Sequence, residues 1–285
     1  MRGRRALSLQ PNWRETMHTK GMKIHVGGAA LHVQTMGDPD ARPILFLHGG
    51  AGSLAEFEDL LPGLDEFCCV FLDLRGHGRS TLGKRPLSYP QLADDIEYVI
   101  QELDLDRPVL LGHSDGATAA LEVAARGRVP ISGVISLAGR AWRPRPSVLE
   151  THIGRMTPDL YRHKSPAAVS DYEATNPEPD FDRFFTQVAG MWRDVSDGNY
   201  PGDRVERIRC QTLVLGGEHD HLVSVEETIT LARAIPHAHL GIVPYGCHSL
   251  HAEQPGHIQP FICDFLMFMD DYQTPHGEAV LPQAR

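Results

Sequence analysis

Six short, largely apolar runs punctuate the chain, at residues 44–47, 70–72, 109–111, 134–137, 213–215 and 240–243. Continuous rather than alternating hydrophobicity marks strands covered on both faces, as in a parallel sheet. Parallel strands need crossover connections long enough to hold a helix. "SYPQLADDIEYVIQELDL" supplies one: Leu92, Ile96, Val99, Ile100 and Leu103 share a helical face, with Ser88 at the cap position and Pro90 in the first turn. Ile258, Phe261, Ile262, Phe265, Leu266 and Met269 repeat that spacing after Pro255 and predict a C-terminal helix on the sheet. The alternation of strand and helix predicts an α/β protein with a doubly wound, mostly parallel sheet.

The alternation fails across residues 140–207, a stretch rich in Pro, Arg and aromatics, among them Trp142, Tyr161, Tyr172, Phe184, Phe185 and Trp192. Structureless loops longer than about 15 residues are uncommon in compact domains, so this region is expected to be an inserted helical lid. The expected organisation is a core at residues 22–139 and 208–272, the lid at 140–207, a flexible leader at 1–21 and a C-terminal tail at 273–285.

With 285 residues and 41% apolar content, the chain can bury one full core. Its 37 acidic residues outnumber 27 basic ones, and a net charge of -10 argues against nucleic acid or anionic membrane as the main partner. A small-molecule or protein ligand fits better. No run approaches the roughly 18 apolar residues that cross a bilayer, and the N-terminus lacks the pattern of a secretory signal. The five cysteines form an odd set without metal-finger spacing, and Cys68-Cys69 sits in an apolar run. They read as reduced thiols, hence a cytoplasmic protein.

The chemistry centres on Gly112-x-Ser114-x-Gly116, which follows an apolar run and opens an alanine-rich, helix-compatible one. A serine on such a strand-to-helix turn is held in a strained backbone conformation, with its hydroxyl pushed out above the sheet. A hydroxyl attacks poorly unless a base takes its proton and a third group holds that base in one tautomer. Two later loops offer candidates just past predicted strands: "GGEHDHLVS" brings Glu218 and Asp220, and "PYGCHSLHAEQP" brings His248 and His251. Spacing alone leaves open the choice between Glu218 and Asp220. A histidine base implies hydrolysis that rises through a transition near its unperturbed pKa of ~6.5.

Five ordered motifs, "LHGGAGS", "DLRGHGRS", "GHSDG", "GGEHDHLV" and "GCHSLHAEQP", spread over about residues 22–270, resemble the α/β-hydrolase superfamily of lidded esterases and epoxide hydrolases. Within it, Ser114-Asp115 and "NPEPDFDRFFTQVAGMW" resemble the valacyclovirase-like α-amino-ester hydrolases. The resemblance implies Ser114 as nucleophile, His248 as base and Asp220 as its orienting partner, with no cofactor. It implies an oxyanion hole built from the backbone amides of Gly50 and Asp115. A serine where epoxide hydrolases and dehalogenases carry an aspartate argues against those reactions. Many relatives have glycine directly before the histidine, where this chain has Cys247, read here as a buried, inert thiol.

Competing readings are concrete. His219 and His221, or His237 and His239, could begin a metal site, but no predicted helix sets two imidazoles on one face, and no metal is expected. Arg75, His77 and Arg79 read as a structural turn. Trp142, Trp192 and His251 are pocket candidates, His251 equally a packing residue. The acids Asp171, Glu173, Glu178, Asp180 and Asp182 read as a solvated face. The Asp115 carboxylate has two readings: a helix-dipole partner worth ~0.3 to 1 kcal/mol, or a receiver for a substrate ammonium. Together these imply a cofactor-free serine hydrolase of small carboxylic esters. A lactonase, thioesterase or amidase would use the same residues; a low-turnover ligand receptor is the rival of another class.

Overall fold

The computed structural model describes residues 21–272. Except for Gly21, the leader and tail expected at 1–21 and 273–285 lie outside the described residues. Eight strands form one sheet: β1 (Met22–Val26), β2 (Ala29–Met36), β3 (Pro43–Leu47), β4 (Cys68–Leu72), β5 (Val109–His113), β6 (Gly133–Leu137), β7 (Gln211–Gly217) and β8 (Ala238–Val243). Their order is β1-β2-β4-β3-β5-β6-β7-β8, parallel from β4 to β8 and antiparallel at β1 and β2.

The central strands β3 to β6 are buried at every position, as the unbroken apolar runs require. Alternate side chains divide between the faces because successive Cβ atoms point to opposite sides of a strand. Leu45, Val70, Leu110 and Val134 join one core with the helices Tyr89–Glu102 and Asp115–Arg126. Ile44, Phe71, Leu111 and Ile135 join the other with the 3-10 helix Leu54–Leu60 and the C-terminal helix Pro255–Tyr272. The sheet is doubly wound.

The helix Tyr89–Glu102 starts as expected, with the Ser88 hydroxyl accepting from the Gln91 amide at 3.2 Å. Three features differ from expectation. The β1–β2 hairpin went unforeseen, because "KIHVGGAALHVQ" has no unbroken apolar run; Gly27 and Gly28, both with positive φ, form its turn. Phe261 is 44% exposed and drops from the apolar face of the C-terminal helix, whereas Ile258, Ile262, Phe265, Leu266 and Met269 are buried. Leu240 is 45% exposed because β8 ends the sheet and is covered less fully than the central strands.

Between β6 and β7 the chain forms helices Pro158–Lys164, Pro166–Thr175 and Phe181–Arg193, preceded by a π-helical turn at Leu149–Ile153. Their aromatics pack on one another: Tyr161 lies 4.4 Å from Phe185 and Tyr172 stacks on Phe184 at 4.6 Å between centroids. Asn176 ties them to the sheet by donating to the carbonyl oxygens of Gly76, Gly78 and Ser80 at 2.8 to 3.2 Å. That turn is the structural element expected of Arg75 and His77, for Arg75 is fully buried and forks onto Asp95 with two 2.6 Å bonds. The acids from Asp171 to Asp182 are exposed, as expected.

Candidate active site

The strand order reverses between β3 and β5, so their outgoing loops diverge and open a crevice at the C-terminal edge of the sheet. The loop after β5 is the elbow. Ser114 has φ 50° and ψ -109°, outside the common regions for a residue with a Cβ. Surrounding bonds impose it: the Ser114 amide donates to Leu137 at 2.9 Å and the Gly116 amide to His48 at 3.1 Å. Gly116 has no alternative here, since a Cβ would stand 2.0 Å from the Leu47 carbonyl oxygen.

His248, from the loop after β8, lies with Nε2 2.9 Å from Ser114 Oγ and Nδ1 2.8 Å from Asp220 Oδ2. Asp220, from the loop after β7, accepts through Oδ1 from the amides of Leu222 at 2.7 Å and Val223 at 3.0 Å. Burial works to raise the Asp220 pKa, but the bond and charge of His248 and these two amides more than offset it, and the net direction is down. An ionised Asp220 can only accept, so Nδ1 must carry the imidazole proton, and Nε2 is left to receive the one on Ser114. Glu218 is half exposed, accepts from the Tyr245 amide, and is not bonded to His248.

Burial pushes the His248 pKa below its ordinary 6.5, further than the bond and charge of Asp220 raise it. The base-competent neutral form therefore persists to more acid pH. The acid limb of kcat/KM is expected below pH 6.5, with the rate falling as His248 becomes protonated. A pH–rate profile with its acid midpoint at 7 or above would contradict that direction.

Opposite the elbow, the loop after β3 carries His48, Gly49 and Gly50. Among the described residues, the amides of Gly50 and Asp115 have no intramolecular acceptor, as an oxyanion site requires. A Cβ on Gly50 would come within 2.3 Å of Asp115 Oδ2 and 2.6 Å of Trp192, so glycine is needed at this close approach.

Asp115 opens the helix Asp115–Arg126, as the helix-dipole reading expects, and its carboxylate has a further role. Its carboxylate is 4% exposed, and its oxygens accept from Tyr89 Oη and Trp192 Nε1, both at 2.7 Å. It fastens an aromatic of the inserted helices to the elbow. Burial raises its pKa against the opposing effect of those two donors.

A cluster absent from the expected site lies beneath the elbow. Glu56 Oε1 accepts from the Gly49 amide at 2.8 Å and lies 3.0 Å from His113 Nδ1, while His113 Nε2 donates to the His248 carbonyl oxygen at 3.1 Å. Both ring nitrogens of His113 face acceptors, the pattern of an imidazolium paired with a carboxylate. Burial alone would raise Glu56, but His113 holds it down to about 2. His113 is raised by Glu56 against the effect of burial. The pair joins the Gly49 loop to the loop of the base.

His251 packs behind His113, with ring centroids 4.2 Å apart, and is 2% exposed. It does not line the cavity; burial drives its pKa down to about 3 and keeps it neutral. Trp142 is corrected too: its Nε1 donates to Asp203 at 2.9 Å, and it borders a separate surface depression with Tyr200 and Arg204. Trp192 does line the cavity of about 380 Å³ in which Ser114 and His248 lie, together with Gly50, Tyr89, Arg140 and Met156. Cys247 is half-buried rather than buried, and burial and Glu253 push its thiol up, so it stays protonated. Among the described residues, neither His-x-His pair gathers a third metal ligand; Glu56, His113 and His251 do approach one another within 4.8 Å. Two of those three already engage each other as an ion pair.

A serine on a strand-to-helix elbow at the switch point of a parallel sheet, with an acid and a histidine from the ends of the last two strands, defines the α/β-hydrolase class. The chain has the α/β-hydrolase fold, and the family model described as alpha/beta hydrolase fold matches its residues 42–162. It is 26% identical over 259 residues to the serine hydrolase BPHL of Homo sapiens, covering 86% of this chain and 85% of that protein. Among solved structures it resembles the enol-lactonase of Burkholderia xenovorans LB400, with a TM-score of 0.69 and 21% identity over 86% of this chain and 99% of that one. It likewise resembles an E-2-(acetamidomethylene)succinate hydrolase, with a TM-score of 0.73 and 21% identity over 88% of this chain and 100% of that one. At these identities the solved structures show the fold. Among the described residues, no helix is long and apolar enough to cross a membrane.

Proposed function

We propose that the protein is a serine hydrolase of small carboxylic esters, working through an acyl-enzyme on Ser114. The observation that carries this reading is the unbroken chain of hydrogen bonds from Ser114 Oγ through His248 to Asp220, at 2.9 and 2.8 Å, inside a cavity. His248 Nε2 takes the Ser114 proton as Oγ attacks the ester carbonyl. The imidazolium is stabilised by Asp220, and the new oxyanion by the amides of Gly50 and Asp115, each typically worth about 2.7 to 4 kcal/mol in a transition state. His248 then passes the proton to the departing alkoxide, which leaves as the alcohol. Water, deprotonated by the same nitrogen, attacks the acyl-enzyme and releases the acid.

The inserted helices act as the lid, with Trp192 held over the elbow by Asp115. Lactones, thioesters and amides present the same carbonyl to the same groups. The names of the relatives, a serine hydrolase, an enol-lactonase and an amide-bearing succinate hydrolase, are in keeping with that range. A receptor that only holds its ligand would have no need of a serine bonded to a base.

A fluorophosphonate probe should label the native protein with one equivalent, on the peptide carrying Ser114 and only at pH values where His248 is neutral. Folded protein that stays unlabelled, or label found on another residue, would remove the reading.

A further inference from the structure

Charge around the cavity is unevenly engaged. Asp220 accepts from His248, Leu222 and Val223, Asp115 from Tyr89 and Trp192, and Glu56 faces His113 and the Gly49 amide. Every carboxylate at the site has donors. Arg140 is different. It follows the end of β6 and, among the residues lining the cavity, it alone is an arginine or lysine.

Its side chain is half-buried, and Nη2 donates to the Leu222 carbonyl oxygen at 2.9 Å. Nη1 is buried and has no hydrogen-bond partner. Among the described residues no carboxylate forms an ion pair with it within 4.0 Å, and the buried Asp115 carboxylate of the same cavity, whose pKa the Arg140 charge lowers, is bonded instead to Tyr89 and Trp192. A guanidinium has five N–H donors, and protein acceptors engage one of them here. A cation withdrawn from water without a paired anion is unfavourable, and is normally matched by a counter-charge. The Leu222 bond holds the planar group in place, and a planar fork of donors matches a carboxylate.

We propose that Arg140 selects the substrate: it receives a carboxylate carried by the ester, so the preferred substrates are small anionic esters. This deepens the reading of Ser114 as nucleophile and rests on it. It also replaces the ammonium reading of Asp115, since the cavity's unengaged charge is positive.

Two matched ester pairs test it, one with the charge on the acyl side and one on the alcohol side. The first is monophenyl adipate against phenyl methyl adipate; the second is 4-acetoxybenzoate against its methyl ester. The wild type is expected to favour the anionic member of at least one pair by about tenfold or more in kcat/KM, the scale of a charge-assisted hydrogen bond. In Arg140→Gln that ratio should collapse towards one. Arg140→Lys, which keeps the charge but loses the fork, should retain part of it. Ratios within one variant do not depend on its active fraction.

Calorimetry with adipate and dimethyl adipate supplies an arm free of turnover. Adipate should bind the wild type more tightly than its diester, and Arg140→Gln should lose that difference. A wild type that prefers neither anionic ester, or an Arg140→Gln protein with an unchanged ratio, overturns the proposal. Should both variants fail to fold, the wild-type ratios and the adipate comparison decide it alone. Absent labelling of Ser114 together with selective adipate binding would sink the hydrolase reading and leave the anion site standing.

Discussion

Replacing Ser114 with alanine should lower ester hydrolysis by about 10⁴- to 10⁶-fold while leaving the fold intact. The large loss follows from the unit that Ser114, His248 and Asp220 form: without Oγ, the base has nothing to activate except water. What persists is the contribution of the oxyanion amides and of binding, about 10³ to 10⁴ over the uncatalysed reaction. Stability should change little. The Cβ and the φ of 50° are retained, the elbow's backbone bonds to Leu137 and His48 are untouched, and only the hydroxyl bond to His248 disappears. Steady-state kinetics with a scan of Tm checks both halves. A well-folded Ser114→Ala protein with more than about 1% of wild-type activity would mean that another group is the nucleophile.

Asp220→Asn should cost about 10⁴-fold in kcat, and the reason is tautomeric. Oδ1 of Asp220 accepts from two backbone amides, Leu222 and Val223. In the asparagine variant those amides hold the side-chain oxygen on their side, so the NH₂ group faces His248 Nδ1. A donor there requires Nδ1 to be unprotonated, which moves the imidazole proton to Nε2, where it faces Ser114 instead of accepting from it. The base is then present but protonated at the wrong nitrogen. Glu218→Gln is the control for the alternative that spacing left open. Glu218 is about half exposed and meets the Tyr245 amide and, at 3.9 Å, His219, neither of them bonded to His248, so the change should alter kcat/KM by about twofold or less. A loss below tenfold in Asp220→Asn, or a larger loss in Glu218→Gln, would transfer the orienting role away from Asp220.

The legible parts of the fold were those with a local cause. Apolar runs at residues 44–47, 70–72, 109–111 and 134–137 are the cores of β3 to β6, because a strand covered on both faces has no room for alternation. The periodic faces of Tyr89–Glu102 and Pro255–Tyr272 were equally visible, with Phe261 the exception. The β1–β2 hairpin was not, since its strands carry exposed polar residues between buried ones. Within the site, Ser114 was marked by its turn, whereas Asp220 and His248 depended on resemblance to single them out from close neighbours. His251 lies three positions beyond His248, yet loop geometry sends one ring to Ser114 and the other behind His113.

The sequence by itself determined a doubly wound sheet, an elbow serine at the end of one of its strands and the order in which an acid and a histidine follow. Hydrophobic period and turn sterics act over a few residues and are written in the chain. Only the tertiary structure decided that Asp115 anchors Trp192, that Glu56 pairs with His113, that Trp142 lies outside the cavity and that Arg140 stands in its wall without an ion-pair partner. Those contacts join residues as far as 77 and 57 positions apart, and their energies depend on burial and on which donors meet which acceptors. Neither quantity exists until the chain has folded.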